Sequence, residues 1–401
     1  MPRRDVAAVF AVFAVNGAAL GSWATRVPAI TTQVGARPGG LGLALLGASV
    51  GMIVAAAFTG RACERFGSRA MVLVSGLAAC VVLPIIGWVS SVPALGVVLF
   101  GMGATVGALD VAMNVAAVKV LRRAERPLMP VFHAGFSIGA LLGSAASGLA
   151  AASGWNPLRH LAVAAIVAAV VLACFGTVLP AEAPVVHPTD GGAPPRRGLW
   201  RRPVLWLLAA VALCSAIAEG ASSDWSALLM VTAKGVGPGA AALAYSGFSL
   251  AMAAARLAGA WVERRAGRWR MLLVGAALAG AGLACAAVVP SPAAGYLGFL
   301  LAGGGLAYSF PVALGLAGEV GRRGEVGGER EIGFVTTLAY AGFLAGPPLI
   351  GEVAQAWSLM AAFVLVAVIA TAIAPAALLV RQAMRRETRR NLPLVRTEDS
   401  A

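Results

Sequence analysis

The chain is 401 residues long, 59% apolar and only 12% charged, with 50 glycines and a mean hydropathy of +0.84. Soluble domains carry about 25% charged residues, so an ordinary soluble protein is excluded, as are disordered and fibrous chains. The net charge of +14 would suggest nucleic acid as partner in a soluble domain, but where the charge sits points to a lipid bilayer, and no nucleic acid is expected.

A membrane-spanning helix takes about 20 apolar residues. Twelve such runs are predicted, at 6–27, 41–60, 71–90, 93–118, 131–152 and 159–179, then 203–230, 240–262, 271–289, 293–317, 332–352 and 357–380. Basic clusters fall in alternate connections: Arg61, Arg65 and Arg69; Lys119, Arg122 and Arg123; Arg196, Arg197, Arg201 and Arg202; Arg264, Arg265 and Arg268. The other connections hold only Arg26, Arg37, Arg159 and Lys234. By the positive-inside rule the basic side is cytoplasmic, and an even number of spans puts both termini there. The first run, preceded by Arg3 and Arg4, has the outline of a secretory leader, but its features recur later in the chain, which a removable leader would not share.

The recurrence is an internal repeat. Asn16, Gly17 and Trp23 match Glu219, Gly220 and Trp225; Gly60, Glu64 and Arg65 match Gly259, Glu263 and Arg264; Gly139, Gly143 and Gly148 match Gly342, Gly346 and Gly351, all about 200 residues apart. The expected organisation is a six-helix bundle at 1–180, a Pro- and Gly-rich cytoplasmic linker at 181–202, a second bundle at 203–381 and a basic cytoplasmic tail at 382–401. Two similar bundles that rock about a central site expose it alternately to each side, the logic of a transporter.

A carboxylate in mid-span costs a few kcal/mol to insert. Asp110 and Glu219 must therefore be protonated, paired or in contact with water, and each is a candidate for proton coupling as well as for a structural hydrogen bond. Asn114 lies one turn from Asp110 on the same face. His133, at the start of the fifth span, titrates near neutral pH in its free form; as a helix-end histidine it also has a structural reading. Trp23 and Trp225 suit stacking on a ring-shaped substrate, or anchoring at the membrane interface. Asp224, Glu319 and Glu352 lie near span ends and are read as solvated. Arg26 is read as attracting an anion or pairing with Asp224, and Arg256 as reaching the inner interface. The glycines of GFSIG, Gly135 to Gly139, are read as helix packing, because a nucleophile elbow needs a preceding strand. No ATP-binding loop, zinc motif or cysteine framework is present among Cys63, Cys80, Cys174, Cys214 and Cys285, so neither a cofactor nor enzymatic activity is expected.

The connection GRACERFGSR, Gly60 to Arg69, resembles the loop signature of the major facilitator superfamily. A glycine, an acidic residue with arginines, and a second glycine suit ion pairs that hold one orientation of the bundles and break in the other. On that resemblance Gly60, Glu64, Arg65, Gly67 and Arg69 form a conformational switch, echoed by Gly259, Glu263 and Arg264. NGAALGSWATRVP, GALDVAMN and FHAGFSIG are similar to the YbjJ-like branch, related to fucose/proton symporters, over essentially the whole chain. The resemblance implies an all-α membrane protein of twelve transmembrane helices in two pseudo-symmetric six-helix bundles, with a cavity lined mainly by spans 1, 4, 7 and 10. It assigns Asp110, Glu219 and His133 to proton coupling and Asn16, Trp23, Asn114 and Trp225 to substrate. Ala24 stands where fucose-type symporters are acidic, so one coupling carboxylate of that branch is missing. The expected function is proton-coupled uptake of a small polar metabolite by a monomer in the bacterial inner membrane; a drug or secondary-metabolite exporter and a non-transporting ligand sensor are the alternatives.

Overall fold

The computed structural model describes residues 2–124, 128–179, 199–322 and 329–390. Their regular structure is helical: α1 Pro2–Ala24, α2 Val27–Gln33, α3 Pro38–Phe66, α4 Ser68–Ile86, α5 Val92–Ala124, α6 Met129–Ala152, α7 Pro157–Val171, α8 Pro203–Lys234, α9 Pro238–Ala266, α10 Arg268–Val288, α11 Pro292–Leu306, α12 Ser309–Arg322, α13 Glu329–Ala356 and α14 Leu359–Arg390. Most of the expected linker and tail lies outside the described residues.

These helices make twelve spans long and apolar enough to cross a bilayer, α11 and α12 together forming one, Pro292–Gly321, and α7 continuing to Gly176 in another. Even α4, at 19 residues, rises about 28 Å at 1.5 Å per residue, close to a hydrocarbon core of about 30 Å. Local chemistry sets the ends. Proline occupies a first helical position in α3, α8 and α9, where its missing N–H costs nothing. The Asn156 side chain accepts from the Arg159 amide at 2.8 Å and starts α7. Gly67 (φ 87°) and Gly267 (φ 75°) make the one-residue joints α3/α4 and α9/α10, a backbone region open essentially to glycine alone.

The repeat is visible in the helix boundaries. Pro38–Phe66 and Pro238–Ala266 are both 29 residues long, and the joints at Gly67 and Gly267 hold the same register. Two departures stand out. The tenth predicted span, 293–317, is not one helix: α11 and α12, of 15 and 14 residues, are each too short to cross and meet at Ala307 and Tyr308. In the first half the departure lies elsewhere, between α1 and α2 at Thr25 and Arg26, where α8 runs on unbroken.

Within the first half α1 packs on α6 and α3 on α5. A Cβ on Gly139 would meet the carbonyl of Ala14, and one on Gly47 that of Gly96. Backbones approach this closely where lipid supplies no hydrophobic drive and small residues maximise van der Waals contact. GFSIG is thus part of a helix-packing face. Gly247, the counterpart of Gly47, has nothing within 4 Å. Toward lipid the surface is apolar, with Phe58, Val81, Val97 and Leu149 exposed. Trp88 and Trp357 at one level and Trp200 and Trp261 at the other give the aromatic belts of a membrane protein.

The halves meet through α3 with α13 and α6 with α9. At the face poor in basic residues the contact is tight. The Gly39 amide donates to Gln355 Oε1 at 3.0 Å, Gly42 lies against the carbonyl of Pro347, and Gly148 and Gly239 face each other backbone to backbone. Deeper in, the Ser144 and Ser246 hydroxyls share a 2.6 Å hydrogen bond, and Ser49 donates to the Phe343 carbonyl at 2.7 Å.

Candidate functional site: a central chamber

Between the halves lies a chamber of about 1410 Å³ that runs from Trp23 and Trp225 to Lys119, Glu263, Arg268 and Glu319 near the basic face. Its closed end is the seam of Gly42, Gly148, Gly239 and Pro347. The expected lining by spans 1, 4, 7 and 10 is present, but α3, α6, α9 and α13 contribute as well, through Ser49, His133, Tyr245 and Tyr340.

Asp110 and Asn114 both line the chamber. Asn114 Nδ2 donates to the Asp110 backbone carbonyl at 2.8 Å and lies 3.5 Å from its Oδ1. The amide thereby fixes its own rotamer and leaves the carboxylate open to the chamber. On α1, Asn16 is 2% exposed; its Nδ2 lies 3.7 Å from Met113 Sδ, and its Oδ1 has no hydrogen-bond partner among the described residues. Trp225 is fully buried with an unpartnered Nε1, and Trp23 is buried beside the same space. Both tryptophans lie inside the protein, at the closed end of the chamber, away from the lipid interface. A buried donor and acceptor left unpaired cost about 1–3 kcal/mol each, so water or a ligand is the natural partner for Asn16 and Trp225.

His133 is exposed to the chamber, its ring edge-on to Phe13 with centroids 5.4 Å apart. Glu219 Oε1 lies 3.6 Å from Arg256 Nη2. That pair corrects the reading of Arg256 as an interfacial residue. Its Nε also points at the Ala307 carbonyl, 3.5 Å away, where the α11/α12 break frees backbone acceptors. The signal was in the sequence: Tyr245, Phe248, Ser249, Met252 and Arg256 follow helical spacing and form the chamber-facing stripe of α9.

Asp224 was read as solvated at a span end; it lines the chamber and accepts from Ser223 Oγ at 3.2 Å. Arg26 is not its partner. That guanidinium is 3% exposed and donates from Nε to His160 Nδ1 at 3.3 Å and from Nη1 to the Trp155 carbonyl at 3.0 Å, bracing the α1/α2 break against α7. Glu319 is paired with Arg268, and Glu352 is exposed.

The residues expected to form a switch sit at the basic face. Glu64 and Arg65 are exposed, Arg65 lies over the Phe66 ring at 5.3 Å, and a Cβ on Gly60 would meet nothing. Among the described residues, no other helix approaches Gly60 closely in this conformation. Gly259 touches Tyr308, and Glu263 reaches the chamber.

A duplicated twelve-span bundle around a central, mainly apolar chamber that carries a few charged side chains is the architecture of a secondary transporter. Comparison with known proteins agrees: residues 8–328 match the Major Facilitator Superfamily. The chain is 33% identical to an uncharacterized MFS-type transporter of Yersinia pestis over 91% of this chain and 93% of the relative. It is 30% identical to an uncharacterized transporter of Sinorhizobium fredii over 95% and 98%. Among solved structures, an aspartate-to-alanine mutant of the nucleoside transporter NupG superposes with a TM-score of 0.77 at 12% identity, covering 94% of this chain and 99% of that chain. A bacterial homolog of the human lysosomal transporter Spinster, in an inward-facing and unoccupied conformation, gives 0.76 at 12% identity over 96% and 98%. The chain belongs to the Major Facilitator Superfamily.

Proposed function

We propose that this transporter takes up a small polar metabolite with protons across a bacterial inner membrane, working as a monomer with both termini in the cytoplasm. The observation that carries the reading is Asp110: a carboxylate at bilayer depth, open to the chamber and without an ion pair among the described residues. Such a group is tolerated at that depth only while water solvates its charge or a proton neutralises it, which suits a proton carried through an alternating-access cycle. Glu219 and His133 are the further protonation sites, and Asn16, Asn114, Trp23 and Trp225 the substrate contacts. The basic face is the cytoplasmic one, so the conformation described is open inward and sealed outward. Residues 1–180 and 203–381 rock as two bodies about the α3/α13 and α6/α9 seams. Glu64, Arg65 and Arg69, with Gly60, Gly67, Gly259, Glu263 and Arg264, close the inner face in the opposite state.

The test is a reconstituted vesicle under an imposed pH gradient. Accumulation of a labelled substrate above equilibrium supports the reading. Equilibration alone reveals a facilitator, expulsion an exporter, and binding without flux a sensor.

A further inference from the structure

Arg256 is the permanent charge deep in the chamber; Lys119 and Arg268 line it only near the basic face. Asp110, Glu219 and Asp224 line the same space, and each becomes neutral on taking a proton; a guanidinium does not lose its proton in proteins. Its only ion-pair partner among the described residues is Glu219 at 3.6 Å, well outside the 2.7–2.9 Å of a strong charge-assisted bond. The guanidinium is aimed from two sides, by Glu219 on α8 and by the carbonyl of Ala307 at the α11/α12 break. It remains about one fifth exposed, and only the chamber is there to receive it. A planar fork held in place, loosely countered and open to an aqueous cavity is arranged to accept a bidentate anion.

We propose that Arg256 is the receptor for a carboxylate on the transported molecule, and that Glu219 is the counter-ion this carboxylate displaces. The inference rests on the transport reading and narrows its substrate class to small organic anions. A displaced Glu219 would be an uncompensated charge, so it takes a proton from chamber water and returns it when Arg256 re-pairs; one anion then travels with one proton. The other titratable or charged groups lining the chamber are Asp224 on α8, Tyr245 and Glu263 on α9, Tyr308 at the break, Glu319 on α12 with its partner Arg268 on α10, Tyr340 on α13, and Asp110, Lys119 and His133 on the opposite wall. Of these, Tyr308 is already committed, its hydroxyl donating to the Ala255 carbonyl. Asn16 and Trp225, with an acceptor and a donor unpaired, are placed to read the polar body of the same molecule.

The experiment is ligand binding by thermal shift on purified protein in detergent, where no gradient is needed. The probes are matched sets: glucuronate against glucose, and 4-hydroxybenzoate against 4-hydroxybenzamide and the cation tyramine. A carboxylate probe should raise the melting temperature while its neutral counterpart does not, and Arg256→Gln should weaken that binding at least tenfold. Because Arg256→Gln leaves Glu219 unpaired and can fail to fold, the charge-free double variant Arg256→Gln/Glu219→Gln is measured beside it and should lose carboxylate binding too. Glu219→Gln alone should tighten it. Carboxylate binding that survives in the double variant, stabilisation by glucose or tyramine in place of the acids, or no response to any carboxylate overturns the assignment. Carboxylate binding lost with Arg256, but without flux in vesicles, sinks the transport reading instead.

Discussion

In the first half the helix that carries Asp110 runs unbroken from Val92 to Ala124, whereas its counterpart in the second half stops at Leu306 and restarts at Ser309. The reverse holds for the first span of each half: α8 is continuous, while α1 ends at Ala24 and α2 begins at Val27. An arginine attends each break, Arg256 at one and Arg26 at the other, but only Arg256 faces the chamber. Duplication supplied one scaffold, and the two copies then diverged where the backbone is interrupted. In the first copy Asp110 stands in the chamber without an ion pair among the described residues. In the second an acid and a base face each other. Packing differs as well, since Gly47 is wedged against α5 while Gly247 faces open space.

The largest way to break this comparison is at Asp110. Asp110→Asn should reduce gradient-driven accumulation to background while the protein inserts and melts normally; concentrative uptake that persists would remove Asp110 from the coupling step. Next comes the packing asymmetry. Gly47→Ala drives a methyl into the Gly96 carbonyl and should cost about 1–3 kcal/mol. The matched Gly247→Ala meets nothing and should gain up to about 1 kcal/mol from helix propensity. Melting curves of the two variants check the pair, and equal shifts would contradict the asymmetry. A smaller effect is expected at the basic face, where Glu64→Gln should slow exchange several-fold with near-normal binding. If binding falls and exchange does not, Glu64 is no switch. The smallest concerns the seam. Ser246→Ala removes one inter-half hydrogen bond, worth about 1 kcal/mol, and should shift the conformational balance modestly toward outward opening. Cysteine accessibility on the two faces reads that shift.

Spans, the repeat and the chamber-facing Asp110 and Asn114 were legible because hydropathy, helical spacing and the positive-inside pattern are local quantities. The α11/α12 break was legible too but was overlooked in an apolar run: Pro311 has no N–H to give the carbonyl four residues before it, that of Ala307, and its ring crowds that carbonyl. The Glu219–Arg256 pair was missed for a different reason. The two residues lie on different helices and 37 positions apart, and an arginine read alone near a helix end defaults to the interface. Asp224 was misplaced because distance from a span end says nothing about which face a residue takes. Arg26 went to His160 on α7 and to the Trp155 carbonyl in the connection before it, contacts set by the bend after Ala24.

The joints at Gly67 and Gly267 bear on how the protein is made. With one residue between α3 and α4, and one between α9 and α10, neither member of a hairpin can enter the bilayer far ahead of the other, because the linking backbone has no slack. Each pair is bound to leave the insertion machinery together, as a preformed unit. A side chain at either joint would therefore show first as lost yield in the membrane, before any defect in turnover became measurable.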